Sequence, residues 1–434
     1  MSVPLIARPS SRLNGNITVP GDKSISHRAL IFGALAEGTT TISGLLEADD
    51  VLRTAAAVRA LGASVEREGE GWVVTGKPWS TPERDIYCGN AGTGVRLLMG
   101  AVGGQGVAAS FDGDRSLRGR PMGRILDPLA EMGVASESND GFLPVSLKAG
   151  AVKAIRYRLP KPSAQIKSAV MLAALGADGE TVIEEPVLSR DHTERMLPAF
   201  GVPVGIREVD AGRELSIKGP VKLKATHVAV PADPSSAAFP IAAALVTKES
   251  DVTISGVLMN PQRDGLVVTL LEMGADITIT NKREAGGEPV ADLVVKSGSL
   301  KGVNVPSLRA PSMIDEYPIL AVVAAFAEGT TRMEGLGELR VKESDRLAAT
   351  EALLKANGVT CRSGADWLEV DGGPVPGGGV VMTHDDHRIA MSALVLGLGA
   401  DVPVQIDDGE MIGTSFTGFT DLMKSIGANV SQAL

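Results

Sequence analysis

One supersecondary unit recurs six times along the chain, and no other feature narrows the possible folds as much. Its plainest marker is an amphipathic helix that ends at a glycine and runs into a strand. The copies are "VLRTAAAVRALGASVE", "MGRILDPLAEMGVASE", "RDHTERMLPAFGVPVG", "RDGLVVTLLEMGADIT", "SDRLAATEALLKANGVTC" and "GFTDLMKSIGANVS". The closing glycines are Gly62, Gly133, Gly201, Gly274, Gly358 and Gly427, spaced at about 70 residues, a period typical of stacked units. Glycine is the residue that closes a helix in the left-handed conformation with least strain. In the first copy Val51, Leu52, Ala55, Val58 and Leu61 recur at helical spacing with charges between them. One face of that helix is therefore buried and the other is wet.

Upstream of each marker lies a helix of a second kind: "ISHRALIFGALAEG", "TGVRLLMGAVGG", "AQIKSAVMLAALGADG", "SSAAFPIAAALV", "DEYPILAVVAAFAEG" and "HRIAMSALVLGLGAD". These are apolar nearly all round, with small residues interleaved, and belong inside a domain. β-Branched strands such as "TTTISGL", "DVTISGV" and "TTRMEGL" run between the two kinds of helix, and hairpins close some units. The unit reads strand, buried helix, strand, exposed helix, strand pair. At 434 residues the chain is too long for one core. Six units group naturally as three plus three, with a break near "VAVPADPSS", where Pro231 and Pro234 punctuate the chain.

Composition removes several classes of function. Aromatic residues make up 3% and the net charge is -10, which argues against nucleic acid as a partner. Cys88 and Cys361 are the only cysteines, too few for a disulfide framework or a cysteine-rich zinc site, and they suit a reducing compartment. No apolar run approaches the ~18 residues that span a membrane. The start, "MSVPLIARPSSRLNG", lacks the apolar core of a secretory signal. A cytoplasmic protein with no membrane partner is expected.

The residues before each buried helix are capping or ionisable groups: Lys23-Ser24, Asn90 to Thr93, Ser163 to Gln165, Asp233 to Ser236, Asp315-Glu316 and Asp385 to Arg388. Helix N-termini favour anions. Capping alone accounts for Ser235 and Ser236, but not for Lys23, Arg28 and Arg388 at the same places. An acidic chain that gathers basic side chains at such ends points to a small, multiply charged substrate. Arg118, Arg120, Arg124, Arg190, Lys342 and Arg346 are further basic positions, each open to the plainer reading of a solvated surface charge. Asp315 and Glu343 are the acid–base candidates. A plain N-cap for Asp315 and a helix ion pair for Glu343 are the alternatives. His384 and His387 stand beside Asp385 and Asp386, but no further cluster completes a ligand set, so no metal is expected. Cys88 reads as a core thiol.

The motifs "GDKSISHR", "GNAGTGVRLLMG", "RPMGR", "PSAQIKSA", "SRDHTE", "APSMIDEYPILA", "ELRVKESDR" and "DHRIAM" together resemble the 5-enolpyruvylshikimate-3-phosphate synthase family over essentially the whole chain, in its bacterial class II branch. The resemblance implies an α/β fold, a two-domain inside-out α/β barrel. Each domain holds three βαβαββ repeats around buried parallel helices. Residues 22–231 would form the first domain, and residues 232–434 with 1–21 the second. It implies transfer of the enolpyruvyl group of phosphoenolpyruvate to the 5-hydroxyl of shikimate 3-phosphate, with release of phosphate and no cofactor. A monomer is expected.

Carried over residue by residue, Lys23 would contact both substrates. Ser24, Arg28, Ser163, Ala164, Gln165, Arg190, Asp315 and Lys342 would hold shikimate 3-phosphate. Gly92, Arg124, Gln165, Arg346 and Arg388 would hold phosphoenolpyruvate. Asp315 resembles the base for the 5-hydroxyl, and Glu343, with Lys23, the group that handles the proton at the methylene carbon. Glyphosate, the family's inhibitor, takes the phosphoenolpyruvate site, and an Ala at the position of Gly92 accompanies tolerance. Class I members carry a Lys near the C-terminal end, where this chain has "MIGTSFTGF", so nothing is carried over there. The nearest alternative is UDP-N-acetylglucosamine enolpyruvyl transferase, whose loop cysteine is missing from "DGDRSLRGRPMGR". A non-catalytic anion-binding protein on the same scaffold is the other; the pairing of Asp315 and Glu343 with basic residues counts against it.

Overall fold

The computed structural model describes residues 3–210 and 212–433. They fall into two compact units, one of Gly21–Val230 with Ala285–Gly287, the other of the residues up to Pro20, Pro231–Glu284 and the residues from Glu288 on.

In the first unit the helices Lys23–Leu35, Gly92–Gln105 and Ala164–Ala174 are buried along nearly their whole lengths. Small residues let them approach closely. A Cβ on Gly100 would stand 2.3 Å from the Ala169 carbonyl oxygen, and one on Gly104 would stand 2.6 Å from that of Leu172. Backbone therefore packs on backbone, which explains the glycine-rich "GTGVRLLMGAVGGQ" of the second helix. Three four-stranded sheets belong to this unit. In the second repeat, Ile86–Tyr87 runs parallel to Ala109–Asp112, which pairs antiparallel with Phe142–Leu147. The third repeat copies this order with Arg156–Arg158, Gly179–Glu185 and Gly212–Gly219. The first repeat borrows its leading strand from the far end of the unit, where His227–Ala229 pairs parallel with residues 41–43. The amphipathic helices Asp49–Ala60 and Gly123–Glu131 complete the first two repeats.

The second unit repeats the plan around the helices Pro234–Val246, Tyr317–Ala325 and His387–Gly399, which share one aliphatic core. The chain's opening residues supply two of its strands. Asn14–Ile17 pairs parallel with Asp251–Leu258, and Leu5–Arg8 sits between Val404–Ile406 and Asn429–Gln432. Each unit is thus helices within and sheets outside. Among the described residues no helix is long and apolar enough to cross a membrane.

Candidate active site

In the first unit the N-terminal ends of the buried helices carry most of the predicted residues. Asp22, not Ser24, caps Lys23–Leu35, its Oδ1 accepting from the Ile25 amide at 2.8 Å. Lys23 Nζ is 2.8 Å from Asp50 Oδ2, so its ammonium is held at the helix start. Arg28 lies one turn on and is buried. Its Nε donates to Thr193 Oγ1 at 2.7 Å, its Nη2 to Ser168 Oγ at 2.7 Å and its Nη1 to the Ser24 carbonyl at 2.9 Å. Arg28 therefore ties three segments together beneath Lys23 and Ser24. His27, on the same turn, is buried; its Nδ1 is 2.8 Å from Thr54 Oγ1. Burial lowers its pKa to about 3, with Lys23 and Arg28 adding to the effect and Asp22 opposing it.

Gly92 begins the second buried helix and Ser163 caps the third. Gln165 joins them: its Nε2 donates to Thr93 Oγ1 at 2.9 Å, and its Oε1 accepts from Arg96 Nη1 at 2.9 Å. Both ends of the Gln165 amide are thereby oriented. Ala164 is the first residue of its helix and offers backbone only. Arg190 is half-buried in the loop between the strand Gly179–Glu185 and the helix His192–Met196.

The family resemblance implies Arg124 as a phosphoenolpyruvate residue. Arg124 is half-buried at the start of the helix Gly123–Glu131. The residue against Gly92 is Arg120, whose Nη1 would lie 2.8 Å from a Cβ built there. Arg120 is buried and donates to Asn90 Oδ1 and, at 3.3 Å, to Ser116 Oγ. Thr93, from the Asn90 to Thr93 cluster, also belongs here, as does Arg96, which the sequence does not mark. Arg118 answers to the plain surface reading, being half exposed and paired with Asp112.

The second unit gathers Asp315, Lys342, Glu343, Arg346 and Arg388. Asp315 is not a helix cap: the helix starts at Tyr317 with Glu316 as its N-cap residue. Asp315 Oδ1 instead accepts from Lys342 Nζ at 3.0 Å and Arg346 Nη1 at 3.2 Å. The Arg346 guanidinium is 1% exposed and also meets Glu343 Oε2 at 2.5 Å and Asp386 Oδ2 at 2.8 Å. Burial works against its charge, but Asp386, Glu343 and Asp315 outweigh burial and hold its pKa above the ordinary arginine value. The ion pair between Glu343 and Arg346 exists, yet Glu343 precedes the helix Arg346–Ala356 rather than lying on it. Arg388 Nη1 reaches the Asp315 carbonyl at 3.0 Å and Glu316 Oε1 at 3.3 Å. Three carboxylates, Asp315, Glu343 and Asp386, thus sit on one guanidinium, beside a lysine and a second arginine.

His384 and Asp385 are exposed, and Asp386 is engaged by Arg346. Thr414, in the stretch where class I members carry a lysine, has its Oγ1 3.5 Å from His387 Nδ1. Cys88 is a core thiol whose pKa burial pushes up to about 12, far from a nucleophile's range.

The family described as EPSP synthase (3-phosphoshikimate 1-carboxyvinyltransferase) matches residues 7–423. A 3-phosphoshikimate 1-carboxyvinyltransferase of Phenylobacterium zucineum is 57% identical, covering 98% of this chain and 95% of its own. One from Caulobacter vibrioides is 55% identical over 99% of both. Among solved structures, the EPSP synthase of Acinetobacter baumannii superposes with a TM-score of 0.87 over all of both chains, at 41% identity.

Proposed function

The chain belongs to the EPSP synthase family, and on that premise we propose how its two clusters divide one reaction. The reaction moves the enolpyruvyl group of phosphoenolpyruvate to the 5-hydroxyl of shikimate 3-phosphate and releases phosphate. An alcohol adds across an enol phosphate, and phosphate is then eliminated. Addition requires a base at the hydroxyl and an acid at the methylene carbon.

Asp315 takes the 5-hydroxyl proton as the oxygen bonds to C2 of phosphoenolpyruvate. Glu343 delivers a proton to the methylene carbon. In the second step the bond from C2 to the phosphate oxygen breaks, the departing phosphate takes up the proton that Asp315 had accepted, the methyl group gives up a proton to Glu343, and the double bond re-forms. The observation that carries these roles is the pairing of Asp315 and Glu343 on the one buried guanidinium of Arg346, at 3.2 and 2.5 Å. A shared anchor holds two carboxylates in a set relation, as two-step acid–base chemistry on one substrate pair requires.

The basic residues offset the charge of two phosphates and two carboxylates. Lys23, Ser24, Ser163, Gln165, Arg190 and Lys342 would take shikimate 3-phosphate. Arg28 would act beneath them, since its donors already hold Ser24, Ser168 and Thr193. Gly92, Gln165, Arg346 and Arg388 would take phosphoenolpyruvate. Arg124 would take phosphoenolpyruvate with them, and Arg120 is the arginine that stands beside Gly92.

The two compact units would be the two domains, 22–231 and 232–434 with 1–21, each giving residues to the reaction. The working form would be a cytoplasmic monomer that needs no cofactor; sedimentation at micromolar concentration checks the monomer.

Phosphate release with phosphoenolpyruvate and, in turn, shikimate 3-phosphate, shikimate and UDP-N-acetylglucosamine tests the acceptor. Release with shikimate 3-phosphate alone supports the reading, and release with the nucleotide sugar overturns it.

A further inference from the structure

Four fully or almost fully buried charged side chains form a closed ring in the first unit. Lys167 Nζ meets Glu185 Oε1 at 2.8 Å and Glu194 Oε1 at 2.7 Å. Arg213 closes the ring from the other side, with Nε 2.7 Å from Glu185 Oε2 and Nη2 2.8 Å from Glu194 Oε1. Two cations alternate with two carboxylates, so the ring is neutral as a whole. Burying four charges is costly, and a well-packed apolar cluster often serves stability equally well. Stability alone is therefore a weak reason for such a ring.

What the ring grips gives a better reason. Every hydrogen-bonding group of Ser189 ends on it. The Ser189 amide donates to Glu185 Oε1 at 2.9 Å, its hydroxyl donates to the same oxygen at 2.5 Å, and its carbonyl accepts from Lys167 Nζ at 3.2 Å. The next residue is Arg190. Lys167 stands two residues after Gln165 on the buried helix Ala164–Ala174. Glu194 follows Thr193, whose Oγ1 receives Arg28 Nε. Three ring members thus lie within a few residues of a group assigned to shikimate 3-phosphate or of its direct partner. Burial alone would push the Glu185 carboxyl up, but Lys167, Ser189 and Arg213 together bring its pKa below the ordinary glutamate value.

We infer that the Lys167–Glu185–Arg213–Glu194 ring is a positioning device for shikimate 3-phosphate, setting the backbone at Ser189 so that Arg190 meets the substrate already oriented. Its members touch no substrate. The inference rests on the reading of Arg190 as a shikimate 3-phosphate residue. Pre-orientation of a charged fork acts on affinity, because the ordering has been done before the ligand arrives.

The test is a cycle of Glu185→Gln, Arg190→Ala and the double variant, with calorimetric binding of shikimate 3-phosphate and steady-state kinetics for both substrates. Losing a charged hydrogen-bond acceptor should weaken shikimate 3-phosphate roughly 10-fold or more in Glu185→Gln. The KM for phosphoenolpyruvate should stay within about 2-fold, and kcat at saturation should fall by less than the affinity does. In the Arg190→Ala background the Glu185 substitution should add little, because the effect runs through Arg190. Ser189→Ala keeps all four charges and removes one link, so it should give a smaller loss of the same kind even where Glu185→Gln folds poorly. Fully additive effects, or unchanged shikimate 3-phosphate affinity in folded Glu185→Gln and Ser189→Ala, would overturn the inference while leaving the Arg190 reading intact. Undiminished affinity in Arg190→Ala itself would overturn both.

Discussion

Asp315 Oδ1 lies 3.2 Å from Arg346 Nη1, and the same guanidinium reaches Asp386 through Nε at 2.8 Å. Asp386 is fully buried and also caps the helix that carries Arg388, accepting from the Arg388 amide at 3.0 Å. One arginine thereby ties the proposed base to the helix end that presents the second arginine.

Replacing that arginine with lysine keeps the charge and loses the fork. An ammonium cannot meet Asp315, Glu343 and Asp386 along three separate directions. Arg346→Lys should cost about 1–3 kcal/mol of stability through weakened buried contacts. The KM for phosphoenolpyruvate should also rise at least several-fold. Denaturant unfolding and steady-state kinetics check the two effects. Wild-type values for both would mean that the guanidinium geometry has no role.

His27 makes stability depend on pH. Its folded pKa of about 3 lies below the ordinary value of 6.5. The unfolded chain therefore binds the proton more readily at intermediate pH. The stability held above pH 6.5 should decline as pH falls towards 3. Between pH 6.5 and 5, before most carboxylates titrate, the loss should approach about 2 kcal/mol at 1.36 kcal/mol per unit. Urea midpoints for the wild type and His27→Gln across that window supply the check. Equal slopes in the two proteins would show that His27 is not the source.

Gly92 has no left-handed backbone to lose, so Gly92→Ala is a question of space alone. The new Cβ would lie 2.8 Å from Arg120 Nη1 and 3.4 Å from Arg96 Nη1. Arg120 must give way, and its guanidinium is already tied to Asn90 and Ser116. Overpacking of roughly 1–3 kcal/mol corresponds to about 5- to 150-fold weaker binding. Glyphosate, longer than phosphoenolpyruvate, should suffer the larger share. The inhibition constant for glyphosate should rise more than the KM for phosphoenolpyruvate. Equal shifts, or no inhibition of the parent protein, would count against the assignment.

The six-fold repeat was legible because the two helix types differ in local composition. A helix such as "AQIKSAVMLAA" is apolar all round, whereas "DDVLRTAAAVRA" is apolar on one face only. Strand ownership was not legible in the residues. Asn14–Ile17 reads "NGNI", with little β signal, and becomes a strand only through its distant partner at residues 251–254. Placing the opening residues with the later repeats depended on the family resemblance. In the site, Lys23, Ser24 and Arg388 stood out because they sit at the mouths of buried helices. The arginine beside Gly92 did not, because "DRSLRGRPMGR" offers several alike and the loop's path decides among them. Lys167 carries a further signal: a charge in an otherwise apolar helix calls for a buried partner, which lies 18 residues away at Glu185.

The most direct test of the account is turnover by Asp315→Asn, measured as phosphate released in a single turnover with both substrates saturating. Shikimate 3-phosphate binding is measured on the same preparation. Asparagine keeps the shape and removes the base. Phosphate release should fall on the order of 10²–10⁴-fold, as for loss of a general base. The protein should remain folded and still bind shikimate 3-phosphate. Phosphate release near the wild-type rate would contradict the account, because Asp315 would then not be the group that takes the 5-hydroxyl proton.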